Sequence, residues 1–217
     1  YGVELIDKGL FDTVYHEHFS YFTLTSLEAL LKSASLQIVD VDRLTSHGGS
    51  LRVFAKHFSE CAGRHLTTPE DLLASESEKG VPTPHFYSGL QQTAVTAKHR
   101  LLRFLIEAAD DRESVVAYGA AAKGNTLLNF AGVNKDLLSY VADRSPGKIG
   151  RYLPGSRIPI LAESALRENK PDKVLVLPWN LKEEVSQQLK YVTGWGGQLF
   201  VPLPDLKPVS GWHVAEH

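Results

Sequence analysis

The sequence predicts an α/β protein whose larger part is a Rossmann-like parallel sheet, preceded by a helix and an antiparallel strand pair. Two patterns carry this expectation. From residue 114 onward, short apolar runs alternate with helical segments: SVVAYG (114–119), LLSYVAD (137–143), DKVLVLPWN (172–180) and GQLFVPL (197–203) read as strands. Between them, NTLLNFAG (125–132), AESALRENK (162–170) and LKEEVSQQLKYV (181–192) read as helices. Near-continuous apolar strands that alternate with helices belong to a parallel sheet covered on both faces. Earlier in the chain, LQIVDVDRL (36–44) and SLRVFAKHF (50–58) instead alternate apolar with polar residues, and the glycine turn HGG (47–49) lies between them. That is the pattern of a half-buried antiparallel hairpin.

The remaining elements follow in order. Ser26 is a candidate N-cap for a helix through Leu27, Leu30 and Leu31 that ends near Ser35. Residues 59–83 are polar and punctuated by Gly and Pro, a connector with a short helix at 69–77. A long amphipathic helix is expected over 84–109, with Phe86, Leu90, Ala94, Leu101 and Leu105 on one face. The implied organisation is 1–58, a connector at 59–83, and a Rossmann-like domain at 84–217. A hairpin alone is marginal in water, so residues 1–58 read as the closing part of a larger sheet.

Composition narrows the classes. The chain has 217 residues, 43% apolar and 22% charged, which is ordinary for a globular protein. A net charge of -2 gives no electrostatic reason to expect nucleic acid or an anionic membrane as partner. No run approaches the roughly 18 apolar residues of a membrane span, and no secretory leader is visible. Cys61 is the single cysteine, so no internal disulfide forms and a cytoplasmic setting is expected. The chain contains no methionine, which suggests a fragment of a longer protein.

Two stretches carry chemistry. In YGAAAKGNT (118–126) a strand runs into a glycine, then small residues, a lysine and a helix start. A helix N-terminus offers free N–H groups that suit phosphate, and Lys123 adds a full charge. This is neither a P-loop, since Lys123 precedes Gly124, nor GxGxxG, since Ala121 takes the middle glycine position. Asp143 lies 24 positions after Gly119. It is placed either to hold sugar hydroxyls or to cap the turn begun by Asp-Arg-Ser-Pro. Arg144, Lys148 and Arg151 either meet a diphosphate or form a solvated loop. PWN (178–180) ends a strand at the sheet edge where open α/β folds bind ligands.

The second stretch is VYHEHFSYF (14–22), two histidines flanking a glutamate among aromatics. In a strand, Glu17 would face away from His16 and His18. Three readings stay open: a metal site built on both histidines with His47 or His57, an aromatic loop whose histidines cap backbone groups, or general acid/base chemistry by a histidine beside a carboxylate.

YHEHFSYF, HGGSLRVFAKH, AYGAAAKGNTLLNF, DRSPGKIGRYLPGSRIPI and LPWN occur in that order across nearly the whole chain. Together they resemble the C-terminal half of the SAM-dependent sugar C-methyltransferases, which act on nucleotide-linked 4-keto deoxysugars. The resemblance implies that residues 1–58 close a class I SAM methyltransferase fold and that the Rossmann-like domain helps hold the nucleotide-sugar. It places most of the S-adenosylmethionine site, and a zinc-binding domain, outside this chain; no metal is expected here. It also implies a carbon acid beside a ketone, whose enolate attacks the methyl donor. On that reading His18 is the base, Glu17 its partner or an accessory acid/base group, and Tyr15 a hydroxyl donor, with His16 unassigned. Lys123, Asn125, Asp143 and Arg144 are then the candidates for holding the nucleotide-sugar. The alternative is a non-catalytic module that binds a nucleotide or phosphate.

Overall fold

The computed structural model describes residues 1–60 and 67–209; Cys61 and part of the expected connector lie outside the described residues. The chain divides into two units, one of residues 1–11 and 16–93, the other of residues 12–15 and 94–217.

The first unit opens with α1 (Gly2–Asp7), a helix that no sequence signal announced. Helix α2 (Leu24–Ser33) starts earlier than expected. Thr23, not Ser26, is its N-cap. Ser26 sits at the third helical position, and the two residues exchange side-chain-to-backbone bonds in a capping box. Strands β1 (Leu36–Leu44) and β2 (Ser50–His57) form the expected antiparallel pair, with an irregularity between Ile38 and Asp40. Helix α3 (Thr67–Glu78) fills the connector region. Leu24, Ile38, Val41 and Leu72 form the core, with Leu31, Leu51, Val53 and Leu73 packed against it.

A buried carboxylate ties α3 to α2. Glu76 is 1% exposed. It accepts hydrogen bonds from the Leu24 N–H (2.7 Å), the Thr25 N–H (2.8 Å), the Thr25 hydroxyl (2.6 Å) and the Tyr1 phenol (2.7 Å). The orphan donors at the start of α2 therefore meet a negative charge, as the helix dipole favours.

The long helix expected over 84–109 is interrupted. A single turn, α4 (Pro84–Tyr87), precedes α5 (Leu90–Asp110). The break falls at Ser88 and Gly89, where the Ser88 hydroxyl bonds the His85 carbonyl and glycine contributes little to helix stability. In α5, Ala94, Ala97, Leu101, Leu105 and Ala108 face inward.

The second unit holds a six-stranded sheet of β3 (Val115–Tyr118), β4 (Val141–Asp143), β5 (Ile160–Ala162), β6 (Lys173–Val176), β7 (Gln198–Val201) and β8 (Lys207–Pro208). The order is β5-β4-β3-β6-β7-β8, parallel except for the last pair. The Rossmann-like α/β class is thus as the sequence predicts. Strands β5 and β8 carry no sequence signal. The first has three residues, and the second contains Pro208, tolerated only because it lies at the sheet edge. Helices α6 (Ala122–Ala131), α7 (Ser164–Asn169) and α8 (Lys182–Gln188) connect the strands. Helix α6 ends on left-handed Gly132. The central strands β3 and β6 are almost wholly buried.

Asp172 fastens the beginnings of those two strands. Its Oδ2 accepts from both the N–H and the hydroxyl of Ser114, each at 2.7 Å, and these bonds hold its pKa below the usual value.

Two stability predictions follow from these carboxylates. Glu76→Gln keeps the side-chain shape but removes the charge. It should destabilise the first unit by about 1.5–3 kcal/mol, the scale of a charge-assisted bond, measured by chemical denaturation. Asp172 favours the folded state in its ionised form, so its contribution is present above its unfolded pKa and fades as pH falls. Asp172→Asn should therefore lower the melting temperature at neutral pH, and the gap to the parent should close below about pH 4.

Candidate functional site

Strand β3 leads to β4 and β5 on one side of the sheet, while β6 and β7 lie on the other. The carboxyl ends of β3 and β6 therefore form the topological switch point, where open α/β sheets leave a crevice. Two glycines let the segments meet there. Gly119 has φ +85°, and a Cβ on it would lie 2.6 Å from Pro178 Cδ. A Cβ on Gly124 would lie 2.6 Å from the Cβ of Leu177. The first turn of α6 can consequently press against the end of β6.

That packing brings Lys123 to the PWN segment. Lys123 is only 6% exposed. Its Nζ lies 4.6 Å from the centroid of the Trp179 ring and 3.4 Å from Asn180 Oδ1. The ammonium over an indole face gains cation–π stabilisation, stronger where water is excluded. Trp179 in turn donates from Nε1 to Asp12 Oδ2 at 2.7 Å. Asp12 is 1% exposed, and no hydrogen bond reaches its Oδ1. Burial raises the Asp12 pKa, opposed by the Trp179 hydrogen bond and by the Lys123 charge. Burial lowers the Lys123 pKa, opposed by Asp12. Each charge partly answers the other's loss of water. Lys123 was legible in the sequence. Asp12 was not, because nothing local links it to a tryptophan 167 positions away.

The other residues singled out in this unit have these places. Asn125 lies one turn into α6, and its Oδ1 is buried without a hydrogen bond. Asp143 is 8% exposed. Its Oδ2 accepts from the Ala120 N–H and its Oδ1 from the Ser145 N–H, both at 2.7 Å. Lys148 Nζ is 3.6 Å from the same carboxylate and donates to the Ala120 carbonyl at 2.9 Å. Asp143 thus pins the glycine turn after β3 to the loop after β4. Arg144 is exposed, with Nε 3.7 Å from Glu163 Oε2.

Glu163 is the hub of a second polar group at the sheet edge, one that the sequence did not signal. It accepts from the Tyr118 hydroxyl at 2.9 Å and the Tyr191 hydroxyl at 3.3 Å. The Arg167 guanidinium stacks 3.4 Å over the Tyr191 ring. Burial, followed by the Glu163 charge and hydrogen bond, pushes the Tyr191 phenol up to about 12. Tyr118 is raised as well, mainly by burial.

Tyr15 to Glu17 form a bend and turn rather than a strand, so alternation of faces does not govern this stretch. Tyr15, in the second unit, is half-buried, and its N–H bonds the Thr13 carbonyl at 3.2 Å. His16, Glu17 and His18, in the first unit, are exposed. His16 Nε2 is 4.0 Å from Glu17 Oε1, and the His18 ring meets Tyr21 edge-on with centroids 6.4 Å apart. Phe19 is 92% exposed. Among the described residues no three His, Cys, Asp or Glu side chains gather as a metal site, and no helix is long and apolar enough to cross a membrane.

Comparison with known proteins gives two concordant matches. Residues 45–204 match the family described as C-methyltransferase C-terminal domain. The chain is also 34% identical over 212 residues to C-methyltransferase NovU of Streptomyces niveus, covering 97% of this chain and 50% of that protein. The chain therefore spans about half the length of this curated relative.

The Glu163 group generates a spectroscopic prediction. In Glu163→Gln the Tyr191 phenol loses a negative neighbour, so its pKa should fall from about 12 toward the ordinary value of about 10. Ultraviolet titration of tyrosinate absorbance, compared with a Tyr191→Phe control, measures the shift.

Proposed function

The chain belongs to the C-methyltransferase C-terminal domain family, and from that premise we propose that it is the acceptor-handling half of a SAM-dependent C-methyltransferase. Its substrate class is a nucleotide-linked 4-keto deoxysugar, methylated at a carbon beside the ketone. The observation that carries this reading is the lysine at the switch point. Lys123 stands where the fold binds ligands, flanked by Asn180 and the face of Trp179, which suits the phosphates of a nucleotide-sugar.

Each residue then has a role. His18 takes the proton from the carbon beside the ketone, and Glu17 assists it as partner or accessory acid/base group. Tyr15 donates its hydroxyl to the oxygen on which negative charge develops. Lys123 meets the diphosphate, and Asn125, whose buried Oδ1 has no hydrogen bond, is a further candidate to hold the nucleotide-sugar. Arg144 supplies a second, exposed cation. Asp143 shapes the site by holding Ala120 and Ser145, which is a different part from direct contact with the sugar.

S-adenosylmethionine supplies the methyl group of such a reaction, and the Rossmann-like unit does not fit it. Ala121 replaces the middle glycine of the fingerprint. The glycine turn abuts Pro178, and the carboxylate that would meet a ribose is taken up by the N–H groups of Ala120 and Ser145. We assign the donor site, and any zinc, to the part of the whole protein that this half-length chain does not span. A cytoplasmic setting without nucleic acid or membrane partners accords with the charge and the single cysteine.

The test uses the full-length protein and a nucleoside diphosphate keto sugar. His18→Ala should lower turnover by about 10²-fold or more, the scale of a lost general base; unchanged turnover would remove His18 from the mechanism. Lys123→Met should keep the side-chain volume and weaken binding of the nucleotide-sugar by about tenfold or more. Equal affinity by calorimetry would remove Lys123 from phosphate recognition.

A further inference from the structure

Asp12 is a buried acid that the roles above leave unused. Its surroundings make it costly as a structural device. At 1% exposure it has lost its water, its Oδ1 has no hydrogen bond, and burial opposes its ionisation by more than the Trp179 bond, the Lys123 charge and the backbone N–H groups of Asp12 and Thr13 return. An asparagine could accept the same bond from Trp179 without that cost. The location of the acid is more informative. Residues 12–15 belong with the Rossmann-like unit, although the chain on both sides of them belongs to the other. The anchoring contact is the 2.7 Å bond from Trp179 Nε1. Three residues later comes Tyr15, whose N–H closes a short turn onto Thr13. Thus the switch point that carries Lys123 also grips the segment that carries Tyr15.

Resting on the function proposed above, we propose that Asp12 is a positioning residue. Its carboxylate, held by Trp179 beside Lys123, sets the Asp12–Tyr15 segment and with it the Tyr15 hydroxyl that answers the developing oxyanion. The same charge has a second effect. Asp12 is the anion that balances Lys123 when no ligand is bound, so it competes with a phosphate for the same ammonium. Its removal should therefore lower turnover without weakening affinity. A lesion that merely loosened the fold would weaken both.

The experiment measures kcat, and the Kd for nucleoside diphosphate keto sugar, in full-length Asp12→Asn and Trp179→Phe proteins. Trp179→Phe keeps an aromatic face under Lys123 but removes the Nε1 donor. For Asp12→Asn the expected result is a kcat lower by about tenfold or more, the scale of a misplaced group, with Kd equal to or tighter than the parent's. For Trp179→Phe the expected result is a similar loss in kcat with Kd within about twofold. If Asp12→Asn fails to fold, Trp179→Phe carries the same prediction. Unchanged kcat in the folded variants, or a Kd that weakens in step with kcat, overturns the inference. His18→Ala and Lys123→Met in the same assays separate the two levels. If they act as expected and Asp12→Asn does not, only the role of Asp12 fails. If they too are silent, the reading of the site fails, and the inference with it.

Discussion

The hydrogen bond from Trp179 to Asp12 is the contact around which the candidate site is organised. It joins the end of β6 to a residue 167 positions earlier, so no short stretch of the chain contains both partners. Both partners are almost fully buried. A carboxylate in that position is tolerable only with a donor and a cation nearby. Trp179 supplies the side-chain donor, the backbone N–H groups of Asp12 and Thr13 add to it, and Lys123 supplies the cation within Coulombic reach. The indole thus serves two neighbours, with its edge donating to the acid and its face meeting the ammonium.

The close approach that makes this possible is a matter of missing atoms. Gly119 and Gly124 leave room that Pro178 and Leu177 occupy. A methyl group at either position would push the first turn of α6 away from β6 and carry Lys123 with it. The spare, small residues after β3 therefore have a packing role first. In many α/β folds similar glycines admit a phosphate to the backbone; here the space beside Gly119 is filled by a proline.

Buried acids recur in both units with different consequences. Glu76 accepts from the start of α2 and from the Tyr1 phenol, and Asp143 gives both oxygens to loop N–H groups. These are structural uses, complete within the protein. Asp12 is incomplete, since one oxygen remains without a hydrogen bond. The contrast separates acids that organise the backbone from one whose placement needs another explanation, and a distant charge partner is visible only in the second case.

Local pattern alone determined the alternation of strands and helices after residue 114, the hairpin at 36–58 and the prominence of Lys123 and of the Tyr15–His18 stretch. Those features rest on side-chain periodicity and on turn chemistry, which act over a few residues. Boundaries were less legible. Thr23 outcompeted Ser26 as cap because its side chain could exchange bonds with Ser26. The helix expected over 84–109 broke where Gly89 offered little to hold it. Strand β5 was not legible because its three residues directly follow Pro159 and run into the next helical segment, whereas the equally short β4 ends a longer apolar run. What only the tertiary structure decided was which groups share a crevice: Asp12 with Trp179 and Lys123, and Glu163 with Tyr118 and Tyr191. Such pairings depend on the order in which strands lie in the sheet, and desolvation then makes them matter. Neither strand order nor burial is written in any short window of the chain.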